Sequence, residues 1–170
     1  AAIPTYTPGE AIEELDYAVN TLGLKAAYIA SYVRRSVSAA ADGGTDGGAA
    51  EHAGWIDPLA LDSEHDYDPL WAKFQDLGVA VASHSISIGM GTRRSISNFN
   101  FNHIGSFATS AETFCKALFL GGVTRRFPDL KFSFMEGSAG WARNLYSDLV
   151  GHWEKRNLDA LENVDPKNLD

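Results

Sequence analysis

The sequence predicts an α/β fold built on parallel strands. Apolar residues alternate between helical spacing and short continuous runs, and a glycine or Gly-Gly pair closes each of the first three helical stretches. The resulting order is helix, strand, helix, strand, helix, strand, helix, which requires right-handed crossovers between parallel strands.

Thr7-Pro8-Gly9-Glu10 reads as a capping box with proline at home in the first turn. Ile12, Leu15, Val19 and Leu22 then recur at helical spacing until Gly23, and Lys25 to Val33 reads as the first strand. From about Ser36 to Asp66 the Gly-rich, Ala-rich and Asp-rich composition lacks periodicity and predicts a long loop. Asp68 is placed to cap the second helix, with Leu70, Trp71, Phe74 and Leu77 as its buried stripe and Gly78 as its stop. Val79 to Ser83 follows as a strand. A second polar loop is expected over about 85–108, after which Thr109-Ser-Ala-Glu112 forms a capping box for a helix through Leu120, closed by Gly121-Gly122. Phe127 to Leu130 is a turn into the strand Lys131 to Met135, and a last helix is expected from Trp141 to about Leu161.

At 170 residues and 45% hydrophobic content the chain suits one soluble domain. Three strands cannot close a barrel, and a complete (β/α)₈ chain takes roughly 250 residues. The chain is therefore a piece of such a barrel or a small open sheet.

The net charge of −8, with Arg34-Arg35, Arg93-Arg94 and Arg125-Arg126 as isolated doublets, argues against nucleic acid as a partner. No apolar run is long enough to span a bilayer and no basic, then hydrophobic, leader opens the chain, so no membrane partner and a cytoplasmic location are expected. Cys115, the single cysteine, lies in an apolar helical stretch and reads as a buried, inert thiol.

Parallel sheets present ligands at the carboxyl ends of their strands. His84 ends one strand and Glu136 the next, so the imidazole is a candidate ligand or catalytic base at that rim and the carboxylate a candidate to bind metal or move protons. The plainer alternatives are a rim histidine bonded to a loop and a carboxylate capping nearby amides. His103, in Asn98-Phe-Asn-Phe-Asn-His103, is placed to fold over the same mouth. His52, His65 and His152 lack metal-ligand spacing and read as solvated or structural. Dinucleotide, P-loop, zincin and serine-hydrolase signatures are absent.

The succession Gly121-Gly-Val, Arg126-Phe-Pro-Asp-Leu-Lys131 and Glu136-Gly-Ser-Ala-Gly-Trp141 closely resembles the pattern of the amidohydrolase-2 family. The helix from Pro8 to Leu22 and the segment from Asp68 through His84 resemble that family in the same order, and the resemblance extends to about Arg156. It implies one partial TIM-barrel domain over 1–170, from about the end of the third strand to the sixth helix. It further implies one divalent metal, most often zinc, that activates water for hydrolysis of a C–N or C–O bond in a small organic substrate, or assists a non-oxidative decarboxylation.

By the same resemblance His84 is the metal ligand, and Glu136 stands where related enzymes often carry a proton-transferring histidine. Glu136 or His103 would take the acid/base role. The family's His-x-His and final aspartate have no counterpart, so this chain alone is expected to bind metal weakly and to be inactive. Open sheet edges predict a homo-oligomer. The competing reading is a non-catalytic α/β module that lacks a complete metal site.

Overall fold

In the computed structural model, which describes residues 1–36, 54–85 and 91–155, the first helix forms where its cap predicts. Thr7 is extended and its hydroxyl accepts from the Glu10 amide at 3.4 Å, opening α1 (Pro8–Asp16). The buried stripe is Ala11, Leu15 and Ala18, while Leu22 is exposed. The helix widens into a π turn over Tyr17–Thr21 and stops at Gly23, whose φ is 69°.

Three strands, β1 (Ala27–Ala30), β4 (Val81–His84) and β5 (Phe132–Phe134), form a parallel sheet in the order β1-β4-β5. Ala30 stands opposite His84, and Ser83 opposite Phe134. Ala1 to Ile3 lie parallel on the outer side of β1, with Ile3 N–H donating to the Tyr28 carbonyl and Tyr28 N–H to the Ala1 carbonyl. Each strand is thus the neighbour of its predecessor along the sheet. Three parallel strands that advance in one direction are common to a barrel and to one half of a doubly wound sheet, so the order is consistent with part of a barrel.

The two sheet faces differ. Ala27, Ile29, Val81 and Ser83 are buried on the face that Phe132 and Phe134 share by register. Against that face pack α1, α2 (Asp68–Asp76) and α4 (Ser106–Leu120), with Trp71 and Phe114 each fully buried and Trp71 6.0 Å from Phe132. The opposite face carries Tyr28, Ala30, Ala82, His84 and Ser133, and is partly or fully exposed.

Several expectations are corrected. The predicted loop over 36–66 contains β3 (Gly54–Asp57), which pairs antiparallel with β2 (Val33–Ser36), so the strands are not all parallel. The expected strand from Lys25 to Val33 breaks at Ser31, whose hydroxyl bonds the Ser83 hydroxyl at 2.8 Å, and the chain leaves the sheet to enter β2. Residues 37–53, including His52, lie outside the described part.

The hairpin is held by a buried ion pair. Arg35 Nε donates to Asp57 Oδ2 at 2.8 Å, Nη1 to the Tyr6 carbonyl at 2.6 Å and Nη2 to the Tyr67 hydroxyl at 2.9 Å. Asp57 also accepts from the Leu59 amide and the Ser63 hydroxyl, each at 2.8 Å. This set of partners on both sides is what makes two buried charges tolerable here.

The loop expected over 85–108 is also shorter. Residues 86–90 lie outside the described part, and beyond them come a 3₁₀ turn (Gly91–Arg93), α3 (Phe99–His103) and the start of α4 at Ser106. Thr109 is inside α4 and its hydroxyl donates to the Gly105 carbonyl, so Gly105, at φ 77°, opens this helix. Asp68 does not cap α2 from outside. It is the first helical residue, its amide donates to Asp66 Oδ1 at 2.9 Å, and its carboxylate pairs with Arg126.

A short helix, α5 (Val123–Arg126), follows Gly121-Gly122, and α6 spans Gly140–Lys155. The predicted continuation to Leu161 lies outside the described residues. Cys115 is only partly buried, although that burial pushes its thiol up from its ordinary value.

Candidate active site

His84 is the last residue of β4 and stands on the open sheet face beside Tyr28, the two rings being 6.2 Å apart. Its Nδ1 lies 2.7 Å from the Ser85 carbonyl. A carbonyl only accepts, so Nδ1 carries a proton and Nε2 is the nitrogen presented to the mouth.

Glu136 follows β5 by two residues, with Met135 N–H still donating to the Ser83 carbonyl at 2.9 Å. Its backbone is left-handed at φ 65°, as is Ser138 at 64°, conformations that non-glycine residues adopt at a cost of roughly 1–2 kcal/mol each. Leu59 and Asp62, outside this pair, share that backbone region. Glu136 Oε2 lies 3.0 Å from His84 Nε2, and the residues are 56% and 31% exposed, open enough for a ligand to reach both.

The structure thus brings His84 and Glu136 together and leaves His103 one ring away. Phe107, in the first turn of α4, meets His84 edge-on at 5.5 Å and His103 edge-on at 5.0 Å. His103 stacks on Phe99 at 5.2 Å, so a row of rings runs from Tyr28 through His84, Phe107 and His103 to Phe99. A compact turn holds that row: Asn102 Oδ1 accepts from the Ser95 amide at 2.6 Å and Asn98 caps α3 through the Phe101 amide at 2.9 Å.

Sequence reasoning missed Phe107, Tyr28 and the Arg35–Asp57–Tyr67 cluster. Tyr28 was signalled by its register, since it alternates with buried Ala27 and Ile29 and so shares a face with the strand-end residues. Phe107 carried no signal until α4 was seen to begin at Ser106. The remaining described histidines are peripheral: His65 lies edge-on to Tyr67 at 6.2 Å, and His152 Nδ1 lies 2.8 Å from the Asp148 carbonyl on α6. A groove of about 750 Å³ between α4 and α6, walled by Phe119, Leu145 and Trp153, is not lined by His84 or Glu136.

His84 and Glu136 both point lone pairs at one spot when Nδ1 is the protonated nitrogen. Two acceptors 3.0 Å apart need a positive centre between them, either a proton or a cation. Zinc–ligand distances of about 2.0–2.2 Å place neighbouring tetrahedral ligand atoms about 3.3 Å apart, so the pair stands at hydrogen-bond distance and would have to part slightly to share a metal ion. Among the described residues no group of three or more His, Cys, Asp or Glu could hold a metal ion.

A three-stranded parallel sheet with an imidazole–carboxylate pair at its carboxyl rim defines the class: a mixed α/β protein consistent with part of a barrel, with a candidate site at the rim. Among solved structures it is similar in fold to 2,6-dihydroxybenzoate decarboxylase from Rhizobium, with a TM-score of 0.53 and 20% identity over 78% of this chain and 36% of that one. It is likewise similar to 2,6-dihydroxybenzoate decarboxylase complexed with 2,6-dihydroxybenzoate, at a TM-score of 0.53 and 19% identity. The chain spans 36% of the length of each of these solved chains. No family model and no curated protein matches it. No helix among the described residues is long and apolar enough to cross a membrane.

Proposed function

We propose that this chain is the central part of a metal-dependent enzyme of the amidohydrolase type acting on a small organic substrate, with His84 as a metal ligand and Glu136 as the proton carrier, whose carboxylate charge beside His84 Nε2 also strengthens cation binding. The observation that carries this reading is the approach of His84 Nε2 to Glu136 Oε2 at 3.0 Å on the open face of a parallel sheet, with Nδ1 committed to the Ser85 carbonyl. A divalent ion, zinc by its affinity for imidazole and carboxylate, would supply Lewis acidity. Ser85 orients the imidazole, and such a partner behind a ligating histidine strengthens it as a donor. His103 lies behind Phe107, which suits it to shape the mouth through its ring contacts and to exchange protons only if α3 moves.

In hydrolysis Glu136 takes a proton from the attacking water and delivers it to the leaving group; in decarboxylation Glu136, first protonated from solvent, delivers that proton to the carbon whose bond to the carboxylate breaks as carbon dioxide leaves. Decarboxylation is favoured by one observation: the solved chains of similar fold are decarboxylases of a hydroxybenzoate. The row of rings from Tyr28 to Phe99 suits a flat aromatic acid of that kind. The remaining ligands would come from strands that complete the barrel, and the open sheet edges would be covered by those strands or by a second copy.

The test is to measure carbon dioxide release from a panel of hydroxybenzoates, and hydrolysis of ester and amide analogues, with a polypeptide extended at both ends to barrel length and loaded with zinc. The expected result is activity that His84→Ala abolishes. Activity undiminished in His84→Ala would refute the assignment.

A further inference from the structure

We propose that Gly137 is a positioning residue, whose missing side chain lets Glu136 reach His84; this rests on the reading of that pair as the site. Glu136, Gly137 and Ser138 have φ of 65°, 77° and 64°, so the chain after β5 makes a left-handed turn with glycine only at its centre. A Cβ built on Gly137 would lie 2.7 Å from the Ala108 nitrogen, 2.9 Å from its Cα and 3.0 Å from the Phe107 carbonyl carbon. These are backbone atoms of α4, fixed by helix hydrogen bonds, and they cannot swing aside as a flexible side chain would.

The same peptide carries Phe107, whose ring meets His84 at 5.5 Å. The first turn of α4 therefore sets two things at once. Through Phe107 it walls the imidazole, and through the close approach at Gly137 it fixes how far the turn bearing Glu136 lies from β4. Any side chain at 137 pushes that turn off α4 and withdraws the carboxylate. Gly140, in the same Glu-Gly-Ser-Ala-Gly-Trp segment, has φ outside the left-handed region, and a methyl added there would meet nothing within 4 Å, so its substitution is the internal control.

The experiment is a double-mutant cycle read by zinc affinity and by the ring nitrogen shifts of His84 in nuclear magnetic resonance. Gly137→Ala should weaken zinc binding at least tenfold and move the His84 shifts as Glu136→Gln does, while Gly140→Ala leaves both unchanged. In the Glu136→Gln background Gly137→Ala should add nothing, because it acts through the carboxylate. Equal additional loss in that background would mean a purely structural role and overturn the proposal. If the wild type binds no zinc, the metal reading fails, yet the His84 shifts still decide the positioning claim. Should Gly137→Ala not fold, a nuclear Overhauser contact between the Gly137 α-protons and the Ala108 amide in the wild type supports the close approach, and its absence overturns it.

Discussion

Arg35 and Asp57, 2% and 0% exposed and 2.8 Å apart, tie the hairpin to the rest of the carboxyl rim. The guanidinium also binds the Tyr6 carbonyl and stacks over the Tyr6 ring at 4.8 Å. Removing Asp57 leaves the buried guanidinium with only the exposed Glu64 carboxylate, 3.5 Å from Nε, to offset its charge. Asp57→Ala is therefore expected to destabilise the fold by about 3–5 kcal/mol, measured by chemical denaturation. The double variant Arg35→Met/Asp57→Leu should recover part of the loss, because it buries no unpaired charge; a double variant less stable than Asp57→Ala would contradict this account.

Tyr67 reports on the same cluster through pH. Burial pushes its hydroxyl up from 10.0 to about 12, partly offset by the neighbouring Arg35 guanidinium. The folded state thus favours the neutral phenol, and the unfolded chain ionises first. The contribution is fully present below about pH 10 and is lost as pH rises toward about 12. Tyr67→Phe should flatten that part of the alkaline stability curve relative to wild type. Parallel curves for the two proteins would show that Tyr67 titrates normally.

Gly121 and Gly122 look alike in the sequence and differ in the structure. A Cβ on Gly121 would sit 1.8 Å from the Ala60 carbonyl oxygen, so Gly121→Ala must separate α4 from the turn after β3. Overpacking of this kind costs typically about 1–3 kcal/mol. Gly122 instead needs its φ of 74°, for which an L-residue costs about 1–2 kcal/mol. Thermal melts should show both variants destabilised, and Gly122→Asn milder than Gly122→Ala because Asn tolerates that conformation. A neutral Gly121→Ala would refute the close contact.

The parts of the fold that were legible are those where one local rule decides. Thr7 opened α1, Gly23 and Gly78 stopped their helices, and the stripe Leu70, Trp71 and Phe74 was buried as periodicity demands. That His84 ends its strand followed from a short apolar run; a second such run placed Glu136 near the end of the next strand, which stops two residues earlier, at Phe134. What stayed hidden depends on tertiary contacts. Val33 to Ser36 gave no turn signal linking it to Gly54–Asp57, because the intervening segment carries no periodicity and the pairing is stabilised by Arg35 finding Asp57, 22 residues away. The start of α4 was misplaced because Thr109 and Glu112 form a good capping pattern, while Gly105 with its left-handed φ overrode it. The placement of His103 behind Phe107 could not be read, since it depends on that same helix start.

The central claim is that His84 Nε2 and Glu136 Oε2 share one positive centre. It is tested most directly by titrating zinc into the ¹⁵N-labelled chain and following all imidazole nitrogens. The expected result is weak binding that shifts Nε2 of His84 first, leaves His65 and His152 in place, and is weakened further by Glu136→Gln. Zinc taken up elsewhere while His84 stays unmoved, or binding indifferent to Glu136, would contradict it.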